Sequence, residues 1–129
     1  MLCYCNSNKP YSECCEPIIL GSKEAQTAEQ LMRSRYSGYV VADIDYLMKS
    51  HHSTTRPLKE KQSILKWTKS IKWMGLTIVA TQNGLATDND GYVEFKALFM
   101  ENGKMGCIHE NSYFVKENNI WYYKSGIHK

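Results

Sequence analysis

Four of the chain's five cysteines lie within its first fifteen residues, as Cys3-Tyr4-Cys5 and Cys14-Cys15. The segment between the two pairs, Asn6 to Glu13, is rich in turn-forming residues. It can fold back tightly, because asparagine accepts the left-handed backbone region and proline fixes φ. Such a turn brings four thiolates to one point, which suits a tetrahedral Zn²⁺. We therefore predict a zinc site whose ligands are Cys3, Cys5, Cys14 and Cys15.

This predicted zinc site is structural, because four protein ligands leave no coordination position open for water. The alternative is a set of free thiols or a redox pair, although a redox dithiol would more often be C-x-x-C, which is absent. No signal peptide is visible, so we expect a cytoplasmic location, where clustered cysteines are more often metal ligands than disulfides.

The composition is that of an ordinary globular domain. The chain has 129 residues, of which 43% are hydrophobic and 22% are charged. No apolar run approaches the roughly 20 residues of a membrane-spanning helix, so no membrane span is expected. The formal net charge of +3 is too small to indicate nucleic-acid binding by itself.

The residue pattern predicts helices first and strands afterwards. Thr27 and Gln30 fit a capping box, and the helix after them carries apolar residues at helical spacing, with Arg35 inside the same stripe. A short helix over 43–49 is capped by Asp43, and a third helix starts near Pro57 and carries Ile64, Leu65 and Trp67 inward. Strands are predicted over 76–80, 92–100, 105–116 and 120–124, with a hairpin turn at Asn102-Gly103. This order predicts an α+β fold with an antiparallel meander.

The first fifteen residues closely resemble the SEC-C zinc-binding motif, known from the C-terminal tail of the SecA translocation ATPase. That motif usually runs C-x-C-G-S-G-x-x-x-x-x-C-[CH]. Asn6 and Asn8 replace its two glycines, and both positions are expected to need a positive φ, which asparagine accepts better than most residues. The resemblance implies a knuckle that contacts a partner protein or an anionic surface.

Nearly the whole chain resembles the uncharacterised YchJ family. The matching segments are 27–39, 53–57, 93–97, 109–115 and 121–123. The resemblance implies a nuclear transport factor 2-like (cystatin-like) domain, in which helices pack on a curved antiparallel sheet to form a cone with an interior pocket. It also implies two domains, a SEC-C knuckle over 1–20 and the cone over 21–129. Because the role of this family is not established, the resemblance fixes the fold more than the function.

A polar pocket is the second candidate site. Ile108, Glu110, Ser112 and Phe114 share one face of a predicted strand, and that face is apolar enough to be the concave one. Arg35 could face Glu110 and pair with it, because an unpaired buried charge is costly. In the functional interpretation, Glu110 is a base or an anchor, Arg35 binds an anion, and His51 or His52 carries protons. In the structural interpretation, the ion pair only closes the cone and both histidines are exposed.

Three functions follow from these features, and one of them is a structural role with no ligand beyond zinc. In the first, the chain is a binding or adaptor protein that contacts protein or nucleic acid through the knuckle rim of Tyr4, Lys9 and Tyr11. In the second, the chain binds or transforms a small molecule in a pocket formed by Arg35, His51, Glu110 and Ser112. The spread lysines are expected to be solvated, with an RNA contact as the alternative, and Cys107 is expected to be buried in its strand.

Overall fold

The helices precede the sheet, as predicted. A computed structural model describes residues 1–129. The helices are α1 (Glu16–Ile19), α2 (Ala28–Val40), α3 (Ile44–Lys49) and α4 (Lys61–Ser70), and 3₁₀ turns occupy Tyr11–Glu13 and Leu58–Glu60. The strands are β1 (Lys72–Asn83), β2 (Asp90–Glu101), β3 (Lys104–Glu117) and β4 (Ile120–His128). They form one antiparallel sheet in the order β1-β2-β3-β4, which confirms the α+β class.

The predicted caps set the start of two helices. Thr27 Oγ1 accepts a hydrogen bond from the backbone N–H of Gln30 at 3.1 Å, and Asp43 Oδ1 accepts one from Tyr46 at 3.0 Å. Each bond satisfies an N–H group that has no partner inside its helix. The capping box is only half formed, because Gln30 Oε1 accepts from the N–H of Gln26 at 2.8 Å. This second bond ties the preceding loop to α2.

The sheet is longer than the sequence pattern indicates. Strands β1 and β4 extend well beyond the predicted ranges of 76–80 and 120–124. Their outer parts are largely exposed, so they lack the apolar alternation that marks a strand in the sequence. Irregularities interrupt the β1–β2 and β3–β4 ladders, and such bulges increase the local bend and twist of a sheet.

Helix α2 packs across the concave face of this sheet, against β1, β2 and β4. Alternate residues of β2 point toward it and are buried, as the period of two predicts. The shared core contains Leu31, Met32 and Tyr36 from α2, Val93, Phe95 and Ala97 from β2, and Phe114 and Trp121 from β3 and β4. The core of the cone therefore lies between α2 and the concave face of the sheet.

The prediction for Cys107 is wrong. Cys107 is exposed, because it lies one residue from Ile108 and so points to the opposite, convex face of β3. The third helix lies where it is predicted, but Ile64, Leu65 and Trp67 are only half-buried.

Candidate functional site

The four N-terminal cysteines form one cluster, which we call the cysteine cluster. Their sulfur atoms all lie within 4.8 Å of one another. Cys5 Sγ is 3.7 Å from Cys14 Sγ, which is 3.9 Å from Cys15 Sγ. Four sulfurs at about 2.3 Å from one Zn²⁺ would be about 3.8 Å apart in a tetrahedron. The cluster therefore has the size and the donor atoms for a bound metal ion.

The knuckle backbone holds these sulfurs in place. Asn6 and Asn8 have φ values of 63° and 65°, so both replacements of the usual glycines adopt the left-handed region, as predicted. The chain then returns, and the N–H of Cys3 donates to the carbonyl oxygen of Lys9 at 2.8 Å. The 3₁₀ turn and α1 present Cys14 and Cys15 from the other side.

The thiols of the cysteine cluster shift one another's pKa values. The nearby Cys15 thiol acts as a hydrogen-bond donor and lowers the pKa of Cys5 to about 4. The Cys5 thiolate and burial raise the pKa of Cys15 above its usual range. Without a metal, the cluster thus favours the thiolate of Cys5 and the thiol of Cys15, and a bound cation would be needed to hold both as thiolates.

The knuckle is docked on the rest of the chain and is not a free appendage. Arg33 Nη1 donates to the carbonyl oxygen of Cys5 at 2.7 Å, and Asn6 Oδ1 accepts from the N–H of Leu76 at 2.7 Å. Cys3, Cys5 and Cys15 are buried in the same core as α2 and the sheet. The cluster is therefore part of the protein core.

A second feature is a cavity of about 290 Å³ between α2, α4 and the concave face of the sheet, which we call the cone cavity. All four pocket candidates from the sequence line it, namely Arg35, His51, Glu110 and Ser112. Sequence reasoning missed several other residues of its wall: Trp67, Trp73, Tyr123 and His128. The fold thus brings residues from three helices, the loop after α3 and all four strands to one place.

Glu110 has partners that the sequence does not reveal. Its Oε2 accepts hydrogen bonds from Ser112 Oγ at 2.5 Å and from the Tyr123 hydroxyl at 3.1 Å. Its Oε1 lies 3.6 Å from Nε2 of His128. A carboxylate with two hydroxyl donors is held in a fixed orientation.

Arg35 is buried as predicted, with 5% of its surface exposed, but it forms no ion pair with Glu110. Its Nη1 donates to the carbonyl oxygen of Leu47 at 2.9 Å and to Ser50 Oγ at 2.6 Å. These acceptors lie at the C-terminal end of α3, whose last carbonyl groups have no partner inside the helix. The predicted pairing of Arg35 with Glu110 is therefore wrong, and the partners of Arg35 are polar groups at the end of α3.

The two histidines have different surroundings. His51 lines the cone cavity, and burial, with the charges of Arg35 and Arg56, lowers its pKa to about 4. His52 is buried outside the cavity, where its Nε2 lies 2.5 Å from Glu117 Oε2. The prediction that both histidines are exposed is therefore wrong. His51 is neutral at pH 7 and reaches the cavity, whereas His52 ties its loop to β3.

Another cleft, of about 400 Å³, lies between the cysteine cluster, the first turns of α2 and the end of β1. Arg33 is its half-buried cation, and its Nε lies 3.0 Å from Glu29 Oε2. Since the carbonyl oxygen of Cys5 takes another of its N–H groups, this arginine is already occupied by the knuckle. The other cations of the cleft, Lys9 and Lys23, are exposed.

The chain is similar to several known proteins. A family model described as YchJ, middle NTF2-like domain, matches residues 27–126. A UPF0225 protein of Vibrio cholerae is 42% identical over 126 residues, which are 98% of this chain and 82% of the relative. One of Geobacter sulfurreducens is 39% identical over 125 residues, with 97% and 78% covered.

Two solved structures share the fold and the knuckle. A SEC-C motif containing protein of Rhodopseudomonas palustris, solved in solution, has a TM-score of 0.89 at 31% identity, with 98% of each chain covered. A crystal structure of a SEC-C motif containing protein from Psychrobacter arcticus has a TM-score of 0.83 at 30% identity, with 97% of this chain and 81% of that chain covered.

Fold and site together define an NTF2-like α+β protein with an N-terminal cysteine cluster that could hold a metal ion. None of its helices is both long and apolar enough to pass through a bilayer. The chain belongs to the YchJ family.

Proposed function

We propose that this protein is a zinc-stabilised binder of a small molecule, with Zn²⁺ on Cys3, Cys5, Cys14 and Cys15 and the ligand in the cone cavity. The division into a knuckle over 1–20 and a cone domain over 21–129 is part of this proposal. Because thiolate ligands need a reducing compartment, we place the protein in the cytoplasm.

The zinc assignment rests on the sulfur geometry and on the donor type. Soft thiolate ligands in a four-sulfur set favour zinc among the common structural metals. The metal would be structural, since all four positions are taken by protein. It would hold the knuckle against α2 and β1, where Arg33 and Leu76 make the docking contacts.

Metal content measured by mass spectrometry tests this assignment. We expect about one zinc ion per chain, lost in Cys14→Ser and kept in the matched control Cys107→Ser, whose thiol is exposed on the sheet. Chelation should lower the melting temperature, because the cluster lies in the core. A wild-type protein refolded with excess zinc that still binds none would contradict the assignment.

The ligand assignment is carried by one observation: a buried arginine, an oriented carboxylate and an apolar wall all line one cavity. A few polar groups in an otherwise apolar cavity are typical of small-molecule sites. The volume of about 290 Å³ is near the lower end of the usual range of about 300–1,000 Å³, so a small ligand is expected.

The three tryptophans provide a direct test of binding. Trp67 and Trp73 line the cone cavity, whereas Trp121 does not. We expect that some members of a mixed fragment library shift the indole N–H signals of Trp67 and Trp73 in ¹H–¹⁵N spectra and leave Trp121 unchanged. A library of all charge types that moves none of these signals, or all three equally, would contradict binding in the cone.

The knuckle rim supports a second candidate function, in which the protein is an adaptor for protein or nucleic acid. Lys9 is exposed, and the half-buried rings of Tyr4 and Tyr11 meet edge to face at 5.1 Å between centroids. The neighbouring Leu2 is 62% exposed. A partner that is captured by the wild type and lost with Lys9→Glu or Tyr11→Ala would favour this function, and an unchanged partner set would count against it.

A further inference from the structure

The guanidinium of Arg35 has one unused edge. Its Nη1 makes both hydrogen bonds of the side chain, to Leu47 O and Ser50 Oγ, and its Nε and Nη2 make none within the protein. Every side-chain nitrogen or oxygen that is sealed from solvent has a hydrogen-bond partner. The Nε and Nη2 groups are therefore reached by solvent, and Arg35 lines the cone cavity.

The charge of Arg35 is also unbalanced. Only 5% of Arg35 is exposed, and no carboxylate forms an ion pair with it. Its face lies over the ring of Tyr123, with Cζ 4.8 Å from the centroid, which offsets only part of the cost of burial. Glu110 is the only acidic residue of the cavity wall, and its Oε2 already has two hydroxyl donors.

We propose that the cone cavity binds an organic monocarboxylate with an apolar, aromatic body, and that the Nε–Nη2 edge of Arg35 holds its carboxylate. This inference rests on the proposed small-molecule function and narrows it to a ligand class. Two parallel N–H groups of a guanidinium match the two oxygens of a carboxylate, and such paired, charged hydrogen bonds are strong.

The charges of the cavity favour a monoanion over a phosphate ester. Arg35 is its only permanent cation, Glu110 is an acid, and the pKa of His51 is lowered to about 4, so that this ring is neutral at pH 7. Glu110 repels any anion in this cavity, but a dianion would meet about twice the repulsion of a monoanion with the same single guanidinium to offset it.

The remaining wall determines the body of the ligand. Trp67 and Trp73 pack edge to face with centroids 5.7 Å apart, and Phe95, Ile108 and Tyr39 also line the cavity. Flat aromatic walls favour a flat aromatic or other apolar group. The ligand would lie between this wall and the polar side formed by Arg35, Ser112 and Glu110.

A set of four phenyl compounds of similar size tests the class: phenylacetate, phenylacetamide, phenethylamine and phenyl phosphate. Binding to the wild type is measured by titration of the Trp67 and Trp73 indole signals, with Trp121 as the internal control. We expect phenylacetate to bind at least about tenfold more tightly than each of the other three.

The outcomes separate this inference from the function on which it rests. Equal binding of phenylacetate and phenylacetamide would overturn the monocarboxylate class and leave the cone as a small-molecule site. Tightest binding of phenethylamine or phenyl phosphate would do the same. No binding by any compound would overturn the inference, and the function falls only if the wider fragment library also fails.

Arg35→Lys provides a second measurement. It keeps the positive charge and loses the paired N–H groups, so we expect it to weaken phenylacetate binding at least about tenfold and to leave amide binding unchanged. Arg33→Lys is the matched control, because Arg33 lies on the same helix as Arg35, is also partly buried and does not line the cavity. Equal effects of the two substitutions would overturn the role of Arg35. Because the ligand comparison uses the wild type, it stands even if Arg35→Lys does not fold.

Discussion

The guanidinium of Arg35 lies over the ring of Tyr123, with Cζ 4.8 Å from the ring centroid. The hydroxyl of the same tyrosine donates to Glu110 Oε2 at 3.1 Å. Tyr123 thus separates the two opposite charges of the cone cavity, and each contacts a different part of one aromatic side chain. Burial and the carboxylate of Glu110 raise the pKa of Tyr123 above its usual range, so its hydroxyl stays a donor at neutral pH.

This relationship predicts the effect of Tyr123→Phe. The substitution keeps the ring below Arg35 and removes one hydrogen bond to a largely buried carboxylate. We expect the free energy of unfolding to fall by about 1.5–3 kcal/mol, as measured by urea denaturation. Tyr122→Phe is the matched control, because its hydroxyl makes no hydrogen bond within the protein, and a similar loss in both variants would contradict the role of the Tyr123 hydroxyl.

The two asparagines of the knuckle should respond differently to glycine. Asn6 and Asn8 both have a positive φ, which glycine adopts without strain. Only Asn6 also accepts a hydrogen bond from Leu76, at 2.7 Å. We therefore expect Asn8→Gly to leave the melting temperature nearly unchanged and Asn6→Gly to lower it. Equal melting temperatures for the two variants would show that the Asn6–Leu76 bond adds nothing.

The parts of the site that the sequence predicts depend on local chemistry and on strand period. The left-handed asparagines follow from turn chemistry, and the burial of Arg35 follows from the helical stripe of α2. Glu110 and Ser112 share the cavity because a strand alternates its faces every second residue.

The parts that the sequence does not predict depend on contacts between distant elements. The partners of Arg35 lie at the end of α3, and no local pattern tells whether a helix end or a carboxylate will face a buried arginine. Tyr122 and Tyr123 are adjacent, and the register of β3 with β4 decides which of them turns inward. A bulge between Tyr113 and Phe114 shifts that register, so only the structure assigns Tyr123 to the cavity.

The close approach of Glu110 to Gly126 leads to a third prediction. Gly126 pairs with Ser112 across the β3–β4 ladder, and a Cβ at this position would overlap the Glu110 carboxylate and approach the Tyr123 hydroxyl. Gly126→Ala should displace Glu110 from its two donors and lower the free energy of unfolding by about 1–3 kcal/mol. Ser125→Ala, at the neighbouring exposed position, should have little effect in the same denaturation experiment. If Gly126→Ala were as stable as the wild type, the carboxylate could not be held as described.

The half-buried ring of His51 should make stability fall in mild acid. Burial, followed by the charges of Arg35 and Arg56, lowers its pKa from 6.5 to about 4. The unfolded chain takes up this proton below about pH 6.5, whereas the folded protein does so only near pH 4, so acid favours unfolding between these values. We expect the His51 contribution to be fully present above that window and to be lost as the pH falls through it. Urea denaturation at a series of pH values should give a smaller pH slope for His51→Gln than for the wild type. A His51→Gln slope equal to that of the wild type would contradict the depressed pKa.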